Sequence, residues 1–550
     1  MSNAAIFLHP NGFDTTGQTL LGRHSAGESF LRGFVRHADV DRFYFWNVAG
    51  RPQEELDALV TRIEAPTRPI TWIPQTARAR LGEAGVLNVP SPEIDTEAWK
   101  RRRYGSRLYA LTGITHTTAT GRVMRMIGDL LIAPLHDYDA LICTSSAVRN
   151  AVETQLSMMR DYLADLHGPR RRPEPQRVTI PLGVNADDFQ TSAEHRKRWR
   201  EQLDIPEDAI VALYVGRFQV KAKMNPALMA MALERAARRT GKAIYWVNSG
   251  WIEPAGTEDV FHGETRKLCP SVHYRQIDGR PPDVRFSIWS VADFFISFSD
   301  NIQETFGLTP VEAMAAGLPC VVTDWDGYKD TVRDGLDGFR VPTIAPRPHF
   351  GGDLADYFAN GWLAYDNYVG AAAQYVAVDL DAAEAAIARL VEDADLRRTL
   401  GEQARRQARA VFDWSAIIPQ YQALWADQDA RRRAAPPDPA PMSDPYRPDP
   451  FTLFAGYPTR HIGRADVVSL VAGWDWTTAL ARLDAPLAVY SRFNRASASE
   501  LELVFAHLVQ HGPTPVARLR DLVPPGRSNF LERSLLWLAR HDIVRIDIGG

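Results

Sequence analysis

Apolar and polar positions alternate in short blocks along the chain, which predicts strands interleaved with helices. The apolar run Ala5 to Leu8 leads into a glycine-containing loop, and Ser25 with Glu28 has the spacing of a helix capping box. A long helical pattern extends from Ser145 to His167. Further apolar runs predict strands at Phe43–Val48, Ile70–Ile73, Leu108–Thr112 and Ala140–Thr144. Strands that alternate with helices predict a parallel sheet covered on both faces.

A second series of alternating elements begins at Ala209, after the chain has passed through Pro181 to Asn185. Its first helix has Asn225 as N-cap, Pro226 at the first helical position and Gly241 just beyond its end. Apolar runs predict strands at Ala243–Val247, Ser271–Tyr274, Asp293–Phe298 and Leu318–Thr323. The sequence therefore predicts two α/β domains of one plan, residues 1–180 and 181–380, each Rossmann-like and doubly wound.

The remainder of the chain divides into three predicted parts. Residues 381–430 have helical patterns rich in Ala, Arg and Leu, and we expect these helices to pack back on the first domain. The many prolines of 431–450 cannot continue a helix or a central strand, which predicts a linker. In 451–550, a capping-box pattern at Ser497 is followed by two further helix starts and the strand-like IVRIDI. Three helices and a strand in this order resemble a winged-helix module.

Composition and charge are those of an ordinary globular protein, with 45% apolar residues, 24% charged residues and a net charge of −4. Because this net charge is small, the protein has no global electrostatic field that would attract nucleic acid or anionic lipid. Cys143, Cys269 and Cys320 lie far apart beside apolar residues, which favours buried thiols over a disulfide or zinc framework. The N-terminus lacks a signal-peptide pattern, and no run of about 18 apolar residues occurs. We therefore expect a cytoplasmic protein.

The chemistry is concentrated in the segment SDNIQETFGLTPVEAMAAGLPCVVTD. A predicted strand ends near Ser299, Glu304 lies in the following loop, and a helix is predicted to begin about Thr309. Free N–H groups at a helix N-terminus suit phosphate oxygens. Glu312, one turn into the helix, can accept hydrogen bonds from vicinal hydroxyls such as those of a ribose.

This segment resembles the motif of glycosyltransferase family 4. That motif, E-x-F-G-L-x-x-x-E, begins and ends with a glutamate and is followed by A-M-A-x-G-x-P. The matching residues are Glu304, Phe306, Gly307, Leu308, Glu312, Ala313, Met314, Ala315, Gly317 and Pro319. The resemblance covers roughly residues 5–425 and is strong only after about 180. It implies a GT-B fold, with the two Rossmann-like domains facing each other across a cleft.

The resemblance also implies cations for the donor diphosphate. The family has G-R-[LF] after the first strand of its second domain and a lysine a few residues later, and this chain has Gly216 and Arg217, then Lys221 and Lys223. An arginine fork and a lysine would neutralise the departing phosphate. Lys223 is favoured because it lies nearer the capped helix, and Lys221 is the alternative.

In the first domain, the resemblance implies a histidine at a strand end and a glycine-rich loop near the donor. His116, in YALTGITHTTAT, is the candidate histidine, with a structural strand-end histidine as the alternative. Gly22 or Gly12 would serve in the loop, which departs from the family's paired glycines. The implied catalytic residues are His116, Glu304, Arg217 and Lys223, and the implied donor-binding residues are Gly22, Gly216, Phe306, Gly307, Leu308, Thr309 and Glu312.

The function implied by the resemblance is a retaining glycosyltransferase. It would move a sugar from a nucleotide-diphosphate sugar to a glycan, lipid-linked or other hydroxyl acceptor, in bacterial glycan, glycolipid or polysaccharide synthesis. No cofactor or metal is expected, because an arginine and a lysine already neutralise the charge of the donor diphosphate. The alternatives are another GT-B enzyme, such as a phosphorylase or a nucleotide-sugar epimerase, and a non-catalytic glycan or nucleic-acid binder.

The roles of four other regions stay open in the sequence. The basic runs Lys100–Arg107 and Gly168–Arg177 predict solvated loops, with an acceptor phosphate or the anionic inner membrane face as alternative partners. Arginines and acidic residues are nearly balanced in 451–550, which favours a protein contact or homo-oligomer over nucleic-acid binding. Residues 343–374 are either a lid or an acceptor loop.

Overall fold

The computed structural model describes residues 3–13, 22–169, 172–252, 255–438, 444–489 and 492–548. The chain divides into two compact units, Met1–Pro445 and Tyr446–Gly550, here called the larger and the smaller unit. No helix among the described residues is long and apolar enough to cross a membrane.

The first domain of the larger unit is a seven-stranded parallel sheet in the order β3-β2-β1-β4-β5-β6-β7. Its strands are β1 Ala5–Leu8, β2 Phe43–Asn47, β3 Ile70–Pro74, β4 Val86–Asn88, β5 Ala110–Ile114, β6 Ala140–Cys143 and β7 Gln176–Thr179. Its helices are α1 Gly22–His37, α2 Gln53–Ile63, α3 Ile94–Arg102, α4 Gly121–Asp129 and α5 Ser146–His167. The strand order reverses between β1 and β4, where a doubly wound sheet opens a crevice at its carboxyl edge.

The second domain repeats the plan as a six-stranded parallel sheet in the order β10-β9-β8-β11-β12-β13. Its strands are β8 Ile210–Phe218, β9 Ile244–Ile252, β10 His273–Asp278, β11 Phe294–Ser297, β12 Cys320–Thr323 and β13 Gly338–Val341. Its helices are α6 Ala193–Gln202, α7 Pro226–Thr240, α8 Glu264–Leu268, α9 Pro282–Ser287, α10 Leu308–Ala316 and α11 Tyr328–Thr331. The predicted pair of Rossmann-like domains is therefore confirmed.

Helix ends follow local chemistry in several places. Asn225 Oδ1 accepts from the Ala227 N–H at 3.0 Å, and Gly241 has a left-handed φ of 63° just beyond α7, as predicted. The first helix departs from its prediction, since α1 begins at Gly22, three residues before Ser25.

An inserted segment follows β13 and is here defined as residues 343–378. It contains β14 Thr343–Ile344, α12 Gly352–Ala359, α13 Tyr365–Ala373 and β15 Ala377–Val378. Val369 of α13 is fully buried against Ala119 of the first domain and Ala222 of the second. The inserted segment therefore contacts both domains.

Three helices complete the larger unit: α14 Leu380–Glu392, α15 Ala394–Gln407 and α16 Trp414–Ala434. The helix α16 packs on the first domain, where Phe30 and Phe34 of α1 contact Trp414, Tyr421 and Trp425. In contrast to the expectation for 381–430, α14 lies against α7 and α15 against α10 of the second domain. The apolar faces of α14 and α15 thereby cover the second sheet.

The predicted linker is shorter at its start than 431–450, because α16 continues to Ala434. Arg432 Nη1 donates to the Arg107 carbonyl at 2.6 Å, so this last turn is held against the first domain. The first proline after it is Pro436, where a helix can no longer continue.

The first basic run is also not a solvated loop, because α3 extends through Arg102 and Arg101 is fully buried. Arg101 forms two hydrogen bonds to Asp139, from Nη1 at 2.6 Å and from Nη2 at 2.8 Å. At the end of the second run, Arg177 pairs with Glu153 at 2.9 Å. The three cysteines are buried free thiols, as predicted.

The smaller unit contains α17 Pro450–Leu453, β16 Val467–Leu470, α18 Trp476–Leu483, α19 Ala498–His511, β17 Thr514–Pro515, α20 Val516–Arg520, α21 Ser528–Arg540 and β18 Val544–Asp547. Its three strands form an antiparallel sheet in the order β17-β16-β18. The predicted capping box at Ser497 and Glu500 is present, since each side chain accepts from the other's backbone N–H. The winged-helix resemblance of this unit stays a prediction.

Candidate functional site

The start of α10 is fixed by a glycine that no other residue could replace. Gly307 has a φ of 93°, and a Cβ atom there would lie 2.4 Å from the ring of Tyr328. The Tyr328 hydroxyl in turn lies 2.9 Å from Ser297 Oγ at the end of β11. The loop between β11 and α10 is thereby held against the sheet, with the first N–H groups of α10 at its end.

Glu304 lies in this loop and forms an ion pair with Lys223, which lies between β8 and α7, with Lys223 Nζ 2.7 Å from Glu304 Oε2. Burial by itself raises the pKa of Glu304, but Lys223 and the N–H groups of Thr305 and Phe306 outweigh it and hold the pKa below its usual range. The carboxylate is therefore ionised at neutral pH.

The other candidate lysine points to a different partner. Lys221 Nζ donates to Asn367 Oδ1 of α13 at 2.8 Å, and its backbone carbonyl accepts from Asn301 Nδ2 at 2.6 Å. Of the two lysines, only Lys223 therefore pairs with Glu304.

Gly216 and Arg217 lie near the carboxyl end of β8. Gly216 is in register with Gly250 of β9, and a Cβ atom on Gly250 would lie 1.8 Å from the Gly216 carbonyl oxygen. The two glycines allow these strand ends to meet closely. The positive charge of Arg217 acts on Tyr214 below it and on Tyr365 of α13, so this guanidinium lies near both.

The structure brings His116 to the same place from the first domain. Thr305 Oγ1 donates to the His116 carbonyl at 3.1 Å, and Thr144 Oγ1 donates to the Thr305 carbonyl at 3.5 Å. A further contact joins the start of α5 to the second domain, where the Ser146 hydroxyl donates to Asp330 Oδ1 at 2.7 Å. The residue after Glu304 thus connects directly to His116.

Glu312 lines a pocket that does not include Glu304. The pocket beside it is lined by Ser29 of α1, Asn185 of the domain crossing, and Arg285 and Phe286 of the second domain. Burial raises the pKa of Glu312, and the charges of Arg285 and Lys223 oppose that shift. This pocket is large enough to take a polar group between the two domains.

The glycine candidates of the first loop are only partly placed. Gly22 is the first residue of α1, and residues 14–21 before it lie outside the described part of the chain. Gly12 packs on α1, since a Cβ atom on Gly27 would lie 2.0 Å from the Gly12 carbonyl oxygen.

Sequence reasoning missed the β12–α11 loop as a wall of the site. Gly327 in this loop lies against Phe306, because a Cβ atom on Gly327 would lie 2.3 Å from the Phe306 Cα. Burial and the negative charge of Glu304 raise the pKa of Asp326, the residue before Gly327. The Asp-Gly pair was the available signal, but such a pair also marks ordinary turns.

Comparisons with known proteins agree with this location. Residues 195–346 match the family model described as "Glycosyl transferases group 1". A D-inositol 3-phosphate glycosyltransferase of Streptomyces scabiei (strain 87.22) is 30% identical over 222 residues, covering 38% of this chain and 46% of the relative. The corresponding protein of Corynebacterium glutamicum (strain R) is 26% identical over 297 residues, covering 52% of this chain and 60% of the relative.

The chain thus matches about half of the length of these curated relatives. Among solved structures, that of Anabaena HepE in complex with UDP and glucose aligns with a TM-score of 0.46 and 15% identity, over 77% of this chain and 99% of that one. The region that carries Arg217, Lys223, Glu304 and Glu312 is the region that matches the group 1 glycosyl transferase model.

Proposed function

We propose that this chain is a retaining glycosyltransferase of the family 4 type. It transfers a sugar from a nucleoside-diphosphate sugar to a hydroxyl acceptor in bacterial glycan, glycolipid or polysaccharide synthesis. The observation that carries the proposal is the Lys223–Glu304 pair at the start of α10, hydrogen-bonded through Thr305 to His116. It lies within the region matched by the group 1 model.

In this proposal, the donor lies along the carboxyl edge of the second sheet. Arg217 and Lys223 neutralise the diphosphate, as preorganised cations do most effectively where water is excluded. The N–H groups of Gly307, Leu308 and Thr309 bind phosphate oxygens at the positive end of α10, while the Phe306 N–H is already bonded to Glu304. Glu312, in its pocket with Arg285, accepts hydrogen bonds from the ribose hydroxyls.

Glu304 and His116 orient the transferred sugar from opposite sides of the cleft. Glu304 is held ionised by Lys223, which favours hydrogen bonding to sugar hydroxyls over protonation chemistry. The His116 backbone carbonyl accepts a hydrogen bond from Thr305, so the backbone of His116 is held next to the loop that carries Glu304.

The proposed reaction needs no protein nucleophile. The acceptor oxygen attacks the anomeric carbon from the face that the phosphate leaves, so a new C–O bond forms as the bond to the phosphate oxygen breaks. The acceptor's hydroxyl proton passes to the departing phosphate oxygen. Arg217 and Lys223 stabilise the negative charge that develops there, and the proposal includes no metal ion or cofactor.

The proposed acceptor site is a pocket at the switch point of the first sheet, lined by residues that include Trp46, Arg78, Glu97 and Lys100. Glu97 accepts from Arg78 Nη1 at 2.6 Å and from Lys100 Nζ at 2.7 Å. Glu93 also lines this pocket, so it holds two cations and two carboxylates, which can hydrogen-bond the hydroxyl groups of a polyol, glycan or lipid-linked acceptor. The relatives' names include such a molecule, D-inositol 3-phosphate.

The proposal retains three expectations from the sequence. They are a cytoplasmic location, a peripheral contact of this acceptor side with the inner membrane face, and homo-oligomer formation through the smaller unit. A nucleic-acid partner is not part of the proposal.

The donor is tested by thermal shift of the full chain against UDP, GDP and ADP and their glucose conjugates, because a ligand of the native state raises apparent stability. Glu312→Ala should remove most of the shift for the active nucleotide. Glu402→Ala, which changes an exposed glutamate on α15, should leave the shift intact. If Glu312→Ala binds the nucleotide as tightly as wild type, Glu312 does not bind the ribose.

The reaction is tested by release of the nucleoside diphosphate from the selected donor and by NMR of the product's anomeric configuration. Retention of configuration supports the proposal. Inversion would contradict the retaining mechanism, and binding of the donor without any turnover in the presence of acceptors argues for one of the alternative functions.

A further inference from the structure

Asp326 has an unfavourable backbone conformation at the wall of the proposed donor site. Its φ is 43°, in the left-handed region that residues with a side chain seldom adopt. Among the described residues only Asp204, His349 and Asp542 share this property outside glycine. Such residues persist where the surrounding structure holds them, and they are frequent at ligand sites.

The neighbours of Asp326 show what holds it. Gly327 packs against the backbone of Phe306, with only 2.3 Å available to a Cβ atom, and the ring of Tyr328 packs under Gly307. Both contacts are with the Glu304-to-α10 loop. The backbone of Asp326 is therefore anchored on that loop, and its carboxyl group lies where the charge of Glu304 acts on it.

One oxygen of this carboxyl group has no protein partner. Asp326 Oδ1 is buried and accepts no hydrogen bond from any described residue, while the Gly327 N–H bonds to the carboxyl group. Buried polar atoms are nearly always hydrogen-bonded in native proteins. This unpartnered oxygen, in a carboxyl group on which the charge of Glu304 acts, is available to a polar group of a ligand.

The two carboxyl groups differ in charge. Burial, with a smaller contribution from the negative charge of Glu304, raises the pKa of Asp326 to about 8. The pKa of Glu304 is held low by Lys223. At neutral pH one group thus donates a hydrogen bond and the other accepts one.

We propose that Asp326 is a specificity-determining residue that binds, together with Glu304, one hydroxyl group of the transferred sugar. This inference rests on the proposed function and extends it to the sugar. A hydroxyl accepts from the Asp326 carboxyl and donates to Glu304, so it satisfies both at once. A sugar that carries hydrogen or an N-acetyl group at that carbon leaves these groups unpaired and is discriminated against.

The test uses the full chain and three variants at this position. Asp326→Gly relieves the backbone strain and removes the carboxyl group, Asp326→Ala removes only the carboxyl group, and Asp326→Asn keeps a hydrogen-bond donor. The probes are UDP and UDP-glucose, or the GDP or ADP pair if that nucleotide gives the wild-type shift. Affinities are measured by titration calorimetry.

We expect the Gly and Ala variants to bind the nucleotide-sugar about tenfold more weakly, the effect of one lost hydrogen bond. Their affinity for the free nucleoside diphosphate should stay within about twofold, and Asp326→Asn should stay close to wild type for both ligands. The matched control is Asp204→Gly, which relieves a similar left-handed aspartate at an exposed position and should change neither affinity.

A second measurement identifies the hydroxyl group. Donor analogues that each lack one sugar hydroxyl are titrated into wild type and Asp326→Gly, as a double-mutant cycle between protein and ligand. For one analogue the difference between the two proteins should disappear.

Several results would overturn the inference while the proposed function stands. One is that Asp326→Gly and Asp326→Ala bind the nucleotide-sugar as tightly as wild type, and another is that they lose as much affinity for the free nucleotide. A third is that Asp326→Asn loses as much affinity as Asp326→Gly. The last is that no donor analogue removes the difference between wild type and Asp326→Gly. If the wild type binds no nucleotide or nucleotide-sugar of the panel, the proposed function itself fails.

Discussion

Lys223 and Glu304 are 81 residues apart in sequence and form an ion pair at 2.7 Å, with side chains 24% and 12% exposed. One comes from the loop between β8 and α7 and the other from the loop before α10. Both loops leave the carboxyl edge of the same sheet, where doubly wound domains bind ligands. A cation and a carboxylate are thereby fixed side by side before any donor binds.

This pair predicts that the two lysines differ in importance. Lys223→Met should lower the turnover of donor by about 10²-fold, because one preorganised charge opposite the leaving phosphate is lost. Lys221→Met removes only the bond to Asn367 of the inserted segment and should cost less than about tenfold. Initial rates of nucleoside diphosphate release, with melting temperatures as a control for folding, decide between them. Equal losses would contradict the assignment of the diphosphate charge to Lys223.

The boundary of the larger unit predicts where the chain can be shortened. Gln428 is fully buried in α16 and donates to the Leu111 and Tyr138 carbonyls at 2.9 and 3.0 Å. A chain that ends after Pro445 should therefore remain folded and keep donor binding. A chain that ends after Asp413 lacks α16 and exposes the aromatic face of α1, so it should aggregate. Light scattering and thermal shift with the donor nucleotide measure both outcomes, and aggregation of the 1–445 chain would contradict the boundary.

Much of the larger unit could be predicted because its strands are buried on both faces and its helices carry their own end signals. The Asn225 cap depends on neighbouring residues alone, so it was visible in the sequence. β4 was missed because three residues, Val86–Asn88, are too few to show a period. The packing of α14 and α15 could not be predicted, since an apolar helix face does not say which sheet it covers.

The candidate site shows the same division between local and tertiary signals. The order of residues from Glu304 to Glu312 was visible because Gly307 and the helix start are neighbours in sequence. The choice between the two lysines depends on which loop each side chain reaches. The sequence could favour Lys223 only because it lies nearer to the start of α7. Asp326 was invisible, because its role arises from contacts between two loops that follow different strands.

The interface between α16 and α1 depends on two glycines that admit Trp414. A Cβ atom on Gly33 would lie 2.3 Å from the Trp414 side chain, and one on Gly183 would lie 2.5 Å from it. Gly33→Ala should therefore destabilise the larger unit by about 1–3 kcal/mol through overpacking. Gly352→Ala, at an exposed position with no neighbouring atom within 4 Å, should change stability by less than about 0.5 kcal/mol. Urea unfolding followed by tryptophan fluorescence compares the two, and equal stabilities would contradict the close fit.

A buried histidine in the second domain predicts a loss of stability in mild acid. His262 is 5% exposed, its Nδ1 lies 2.5 Å from the Tyr274 hydroxyl, and its ring packs on Phe218. Burial and, to a smaller extent, the charge of Arg266 lower the pKa of His262 to about 4, against the opposing charge of Glu258. The folded domain therefore holds this imidazole neutral at neutral pH.

Because the folded pKa of His262 lies below the unfolded value of about 6.5, the unfolded chain binds the extra proton first. The contribution of neutral His262 to stability is fully present above about pH 6.5 and declines as the pH falls from about 6.5 to about 4, by about 3 kcal/mol in total. His262→Gln keeps an acceptor for Tyr274 but does not titrate. Melting temperatures of wild type and variant are measured from about pH 7.5 down to about pH 4.5, which covers most of this window. The difference between the two melting temperatures should shrink as the pH falls, because only the wild type loses stability through His262. Parallel curves would mean that His262 is already charged in the folded domain, or that it is hydrated and not buried as the Phe218 and Tyr274 contacts require.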